Sequence, residues 1–214
     1  MATVLTRPEQ REQRFVLNDV SWAAYEALLA DHVDRSVPHF TFDQGVLEIV
    51  SPSFTHEECN RTLALIVEVY AEEMDIDICN AGSTTFRREE WQRGFEPDSC
   101  FYIQNAGRIR GKAQIDPKVD PPPDLVIETD ISHYSLDKLP IFAQFGIPEV
   151  WRYDGEKILI YSLAGGGYVE GEESVVLPGL TAGDLSRFLE EGKSSPRTAW
   201  LRGLREWIRG QKGS

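Results

Sequence analysis

Asp124, Glu128 and Asp130 crowd the stretch Pro122-Pro123-Asp124-Leu125-Val126-Ile127-Glu128-Thr129-Asp130, which otherwise reads as a buried strand. Successive strand side chains alternate faces, so Asp124, Val126, Glu128 and Asp130 are expected on one side, with neighbours about 6–7 Å apart. Charged groups are rare in such a strand unless they are paired or coordinate a metal. Ser135-Leu136-Asp137-Lys138 follows closely and brings a lysine. Upstream, Asp98 stands at the entrance of Glu96-Pro97-Asp98-Ser99-Cys100-Phe101-Tyr102-Ile103. Acids and a lysine around a sheet edge suit metal-assisted phosphodiester chemistry, in which carboxylates hold a hard cation and the ammonium serves the reacting phosphate.

Each residue also has a plainer reading. Asp98 after Pro97 has the form of a turn residue bonding its own backbone. Glu128 falls among Leu125, Val126 and Ile127, where an unpaired carboxylate would shift its pKa or need an arginine partner. Lys138 near a helix start opposes the helix dipole, yet most lysines are simply exposed. His56 and Glu57 fall early in a helix after Ser51-Pro52, where a glutamate complements the dipole. His32, His39, His56 and His133 show no i, i+4 pairing, which argues against a histidine metal site. Walker loops, dinucleotide fingerprints and Gly-x-Ser-x-Gly elbows are absent from the sequence.

The elements that must position these residues form a mixed α/β pattern. Phe15 to Leu17 reads as a short strand, and Asn18 or Asp19 as the cap of a helix carrying Trp22, Tyr25, Leu28 and Leu29. His39–Phe42 and Val46–Val50 flank a hairpin turn at Asp43-Gln44-Gly45. Ser53 or Thr55 opens a longer helix ending near Met74. Ile76–Cys79 and Thr84–Arg87 are expected to pair around Asn80-Ala81-Gly82. Another strand runs from Asp98 to Ile103, and the loop from Gln104 to Pro123 is placed over the site mouth. A strand at 124–131, a helix from about Asp137 to Phe145 stopped by Gly146 and Pro148, and a hairpin across Asp154-Gly155-Glu156 follow. Gly165-Gly166-Gly167 makes a turn, a helix carries Leu185, Phe188 and Leu189, and a basic helix occupies 191–214.

At 214 residues, with 41% hydrophobic and 27% charged, the chain suits one domain, 1–214, with a core over 15–190. It lacks both an apolar run long enough to span a membrane and a signal-peptide core, and Cys59, Cys79 and Cys100 form no Cys-x-x-Cys pair. A reduced cytoplasmic protein is expected. The net charge of −13 opposes binding to phosphate backbones, although local patches matter more than the total. Two such patches are Arg108, Arg110 and Lys112, and the tail from Lys193 to Lys212; the simplest reading of the tail is a solvated helix face.

Taken together these segments resemble the Uma-type family of restriction-endonuclease-like proteins in the PD-(D/E)XK nuclease superfamily. The resemblance runs from about Phe15 to Leu189 and is carried by Ile49-Val50-Ser51-Pro52 with His56-Glu57, and by Glu96-Pro97-Asp98. It continues through Pro122-Pro123-Asp124-Leu125-Val126-Ile127-Glu128, and through Lys138 into Phe145-Gly146-Ile147-Pro148-Glu149-Val150-Trp151. It implies a restriction-endonuclease-like core, with a central mixed sheet flanked by helices. It also implies Asp98 and Glu128 on adjacent strands and Glu57 pointing into the same site. One departure stands out: the superfamily pattern has a lysine where this chain has Asp130, and the resemblance assigns the role to Lys138 instead.

The expected chemistry is Mg²⁺-dependent cleavage of DNA, with Mn²⁺ able to substitute. Asp98, Glu128 and the Thr129 carbonyl are expected to hold the ion, with Lys138 and Glu57 assisting. A homodimer is expected from the family, helped by exposed Trp151 and Tyr153. The alternatives are a catalytically silent binding or scaffold protein with this fold, which the pI near 4.8 favours, and a metal-free carboxylate hydrolase of the glycosidase type.

Overall fold

The computed structural model describes residues 12–33, 35–131 and 136–212; His133 and Ser135 lie outside them. Two sheets share the chain. The first has the order β1 (Gln13–Leu17), β3 (Val46–Ser51), β2 (His39–Asp43), β6 (Arg93–Phe95), β5 (Phe86–Arg88) and is antiparallel throughout. The second has the order β11 (Gly167–Gly171), β10 (Ile158–Ala164), β9 (Glu149–Tyr153), β8 (Leu125–Thr129), β7 (Ser99–Tyr102), β4 (Cys79–Gly82). Its β8 and β9 run parallel, joined through α4 (Leu139–Phe145), while its other neighbours are antiparallel. The sheet is therefore mixed, as expected.

Four helices frame these sheets: α1 (Trp22–Asp31), α2 (Phe54–Met74), α5 (Ala182–Ser194) and α6 (Arg197–Gln211), with a short α3 at Ala106–Ile109. Leu63, Ile66, Val67 and Tyr70 of α2 meet Leu125 and Ile127 of β8, together with Leu185, Phe188, Trp200, Leu204 and Ile208 of α5 and α6. The other side of β8 buries Val126 with Phe86, Phe95, Ile141, Phe142 and Val150. Apolar residues on both faces explain why β8 reads as a continuous hydrophobic run. A carboxylate in its middle is correspondingly conspicuous.

Local chemistry sets several boundaries. Gln44 and Gly45 have φ of 48° and 97°, the left-handed pair a tight hairpin between β2 and β3 requires. Ser53 caps α2, its hydroxyl accepting from His56 N at 3.2 Å. Gly146 at φ 75° ends α4 where Pro148 would have stopped it. The cap of α1 is Ser21 rather than Asn18 or Asp19, because Ser21 Oγ accepts from Ala24 N at 3.2 Å.

Four further expectations need correction. The segments around 76–79 and 84–87 do not pair: β4 joins β7 in one sheet, and β5 joins β6 in the other. The 104–123 loop is not structureless, since it contains α3, and it borders the site only on the His39 side, lining the cleft that reaches that residue and not the cavity holding Glu128 and Lys138. Lys138 occupies the cap position of α4 itself, and Asp137 Oδ1 accepts from Leu139 N at 3.2 Å. Trp151 and Tyr153 are buried, at 0% and 3% exposure, so they offer no surface to a second subunit. No described helix is long and apolar enough to cross a membrane.

Candidate active site

Asp98 precedes β7, and Glu128 lies on the adjacent β8, paired antiparallel to it. Both are 8% exposed. Thr129 N donates to Asp98 Oδ2 at 2.7 Å, which ties the acid to the end of β8. Asn60 of α2 donates to the Asp98 carbonyl at 3.0 Å and accepts from Ser99 Oγ at 2.8 Å, fixing the strand entrance. The turn reading of Asp98 therefore fails: its carboxylate bonds partners distant in sequence.

Two histidines flank that carboxylate. His39 Nδ1, from β2, lies 3.3 Å from Oδ1, and His56 Nε2, from α2, lies 3.1 Å from Oδ2. Burial pushes the Asp98 carboxyl up, but hydrogen bonds from His39 and His56 outweigh it and hold the group well below the usual carboxylate range. Burial likewise lowers both rings, and the bonds and charge of Asp98 more than reverse that, leaving both histidines raised.

Lys138 Nζ donates to Glu128 Oε2 at 2.6 Å, with its side chain 15% exposed. Burial pushes the Glu128 carboxyl up; Lys138 pulls against it and Asp98 adds to the rise. Lys138 is itself raised, its burial outweighed by Glu128 and then Glu48. Glu48, on β3, is fully buried, and its Oε2 accepts from Arg14 Nη1 at 3.1 Å and from Leu136 N at 3.0 Å. The first sheet thus reaches into the site through His39, Glu48 and Arg14.

The other acids are placed differently. Asp124 and Asp130 fall just outside β8. Asp124 accepts from Ile103 N, Asn105 N and Asn105 Nδ2 at 2.7–3.0 Å, a wholly structural set that fastens β7 to α3. Asp130 pairs with Arg14 at 3.3 Å and Arg152 at 2.6 Å. Glu57 does not join Asp98 and Glu128: its partner is Arg61, one turn along α2 at 3.2 Å, and its side chain is 31% exposed. The residue that α2 sends into the site is His56, one position earlier.

Sequence reasoning missed Glu48, His39 and Arg14. A signal existed for Glu48, since Val46-Leu47-Glu48-Ile49-Val50 sets an acid among apolar strand residues just as 125–128 does.

Hydrogen-bond completeness separates the buried acids into two kinds. Glu149, buried at the start of β9, accepts from Trp151 Nε1, Ser174 Oγ and Val175 N, all at 2.6 Å. Glu128 Oε1, Glu48 Oε1 and Thr129 Oγ1, by contrast, are buried without a hydrogen-bond partner. Leaving such groups unsatisfied costs free energy, so each asks for an explanation such as an ion, a water or a moving side chain. Among the described residues no group of three or more His, Cys, Asp or Glu is arranged to hold a metal ion. Mg²⁺ does not require one, since it commonly takes one or two carboxylates and keeps several waters. Asp98 and Glu128 with its unused oxygen fit that habit.

Two recesses adjoin the site. A cavity of about 440 Å³ is lined by Arg14, Glu128, Thr129, Lys138, Phe142 and Arg152. A larger cleft of about 1370 Å³ reaches His39, and Arg35, Arg87 and Lys118 are among its lining residues.

Two acids at neighbouring interior strands, with a lysine brought in by the following helix, sit on a mixed sheet of the restriction-endonuclease-like kind. The chain belongs to the Uma2 family, described as "Putative restriction endonuclease", whose model matches residues 22–194. Among solved structures it is similar to one described as a "putative nuclease belonging to DUF820" from Anabaena variabilis. The TM-score is 0.50 at 15% identity, covering 71% of this chain and 92% of that one. No curated protein matches the chain.

Proposed function

We propose that the protein is a metal-dependent nuclease that hydrolyses DNA phosphodiester bonds at Asp98, Glu128 and Lys138. The observation that carries this reading is the convergence of the three in one buried site, where Glu128 keeps an unpartnered oxygen. Asp98 and Glu128 would hold Mg²⁺, or Mn²⁺ in its place, with an oxygen of Thr129 as a third ligand. Such an ion, when bound, supplies Lewis acidity and neutralises charge at the phosphate.

The chain's own groups do the rest. His39, His56 and the Thr129 N–H keep Asp98 ionised and fixed in orientation, so no reorganisation is needed as charge builds. Lys138 presents an ammonium beside Glu128, positioned to stabilise a developing oxyanion or to orient the attacking water. Phe142 and Val150 keep one wall of the cavity apolar, which strengthens these interactions by limiting water. The cleft that runs to His39 is the proposed path of the nucleic acid. Arg35, Arg87 and Lys118 line it beside Glu26, Glu96 and Asp116, with Arg87 paired to Glu26, and such local charge matters more than the total.

The basic clusters noted in the sequence are largely spent elsewhere. Arg110 pairs with Asp77, Lys112 with Asp120, and Arg205 and Arg209 with Glu73. This favours the second reading, a nuclease-fold binding protein without turnover. Calorimetric titration with Mn²⁺, on wild type and on Asp98→Ala/Glu128→Ala at matched folding, separates the two. Binding that vanishes in the double variant, with DNA cleavage lost alongside, supports the nuclease. Absence of binding in folded wild type at millimolar Mn²⁺ removes it.

A further inference from the structure

Glu48 poses a problem that the nuclease reading does not solve. It is fully buried, and its Oε2 is saturated by Arg14 Nη1 and Leu136 N, which fix the carboxylate in place. Its Oε1 has no hydrogen-bond donor, yet lies 3.9 Å from Lys138 Nζ. A rigid, ionisable acceptor held just beyond hydrogen-bond range of a buried ammonium is costly unless the ammonium at times reaches it.

We propose that Glu48 is the second seat of Lys138: the ammonium moves between Glu128 Oε2 and Glu48 Oε1, and Glu48 is a positioning residue of the site. The required displacement is about 1 Å, the difference between the present separation and an ordinary N–H···O bond. Lysine suits the task, since its compact charge sits on a flexible four-carbon stem with three rotatable donors. The anchor is also well placed, because the Leu136 N–H that fixes Glu48 belongs to the segment leading directly into Lys138.

The value of a second seat follows from burial. Whenever Glu128 is engaged by another cation or by substrate, a lysine with one partner would be left as an uncompensated buried charge. With Glu48 beside it, Lys138 gives up Glu128 without losing its counter-charge and stays in the cavity. The need for this exchange rests on the nuclease reading; the two seats themselves are a property of the free protein.

The test therefore uses neither metal nor DNA. In a crystal structure of Glu128→Gln, Lys138 Nζ is expected within hydrogen-bond distance of Glu48 Oε1. An ammonium that turns to solvent, or stays on the new amide with the Glu48 separation unchanged, overturns the proposal. A double-mutant cycle of Glu48→Gln and Lys138→Gln, followed by denaturant unfolding, gives an independent reading. The pair should be coupled by about tenfold in the folding equilibrium, within the range seen for charged neighbours, and strictly additive effects would overturn it. Failure of wild type to bind Mn²⁺ would remove the nuclease and leave a coupled pair standing. An additive cycle in a protein that binds Mn²⁺ would do the reverse.

Discussion

At the scale of residues, the buried acids differ in how fully their oxygens are hydrogen-bonded. Glu149 and Asp124 are as buried as Glu128, but backbone and side-chain donors consume their oxygens, whereas Glu128 keeps one oxygen without a donor. Lys138→Ala should lower turnover by about a hundredfold, the low end of what proton-transfer groups contribute, while Mn²⁺ affinity in calorimetry changes far less. An unchanged rate would remove Lys138 from the mechanism. Asn60→Ala should cost about 1–3 kcal/mol in urea unfolding, since it strands the Asp98 carbonyl and the Ser99 hydroxyl. A neutral effect would mean that the strand entrance is held by other contacts.

At the scale of elements, what was legible was what local chemistry determines. The β2–β3 and β9–β10 hairpins are written in Gly45 and in Asp154-Gly155, where positive φ and an Asx turn need those residue types. Glu128 stood out because a charge inside an apolar run is itself a signal, whereas Asp98 after Pro97 and Lys138 near a helix start were singled out only by the family resemblance. Sheet membership was not legible, since β5 and β6 are three residues each and join the first sheet only through the pairing of β6 with the distant β2. His39 was illegible for a similar reason: its reach to Asp98 depends on how β2 faces the second sheet.

Gly94 of β6 packs so closely that an added Cβ would lie 2.4 Å from Tyr25 Oη and 3.0 Å from Arg87 Cβ. Gly94→Ala should therefore destabilise by about 1–3 kcal/mol through overpacking, read as a lower urea midpoint. An unshifted midpoint would show that α1 yields freely. The tail helix α6 docks through Trp200, Leu204 and Ile208 while Arg197, Arg202 and Arg209 stay exposed on its basic face, and Arg205 and Arg209 pair with Glu73 of α2. Hydrogen bonds from Arg209 and then Arg205 hold the Glu73 carboxyl down to about 2 from its ordinary 4.5. A depressed carboxylate contributes stability that is present above 4.5 and disappears as pH falls through about 2. Acid titration of tryptophan fluorescence should show α6 loosening in that window for wild type, and a smaller pH dependence there for Glu73→Gln. Identical titrations would assign the docking to the apolar face alone.

For the molecule as a whole, the two sheets meet at the site. Asp98 and Glu128 come from one sheet, and His39, Glu48 and Arg14 from the other. A cation binding there should stabilise the entire fold. At a hundred times its dissociation constant Mn²⁺ would add about 2.7 kcal/mol, seen as a raised unfolding temperature that Asp98→Ala/Glu128→Ala loses. A shift of equal size in that variant would place the ion elsewhere.

Arg14 and Asp130, whose ion pair closes one side of the cavity, stand 116 positions apart, and Glu48 receives Leu136 N across 88. Contacts of such span are the slow ones to form, because the intervening chain must first be gathered in. On the ribosome, a chain made only as far as Asp98 already carries Glu48 and both histidines, but neither Glu128 nor the lysine that answers it. Synthesis must pass Lys138 before the pocket can close. Assembly of the cavity is thus withheld until most of the chain is made, by the order of its residues alone.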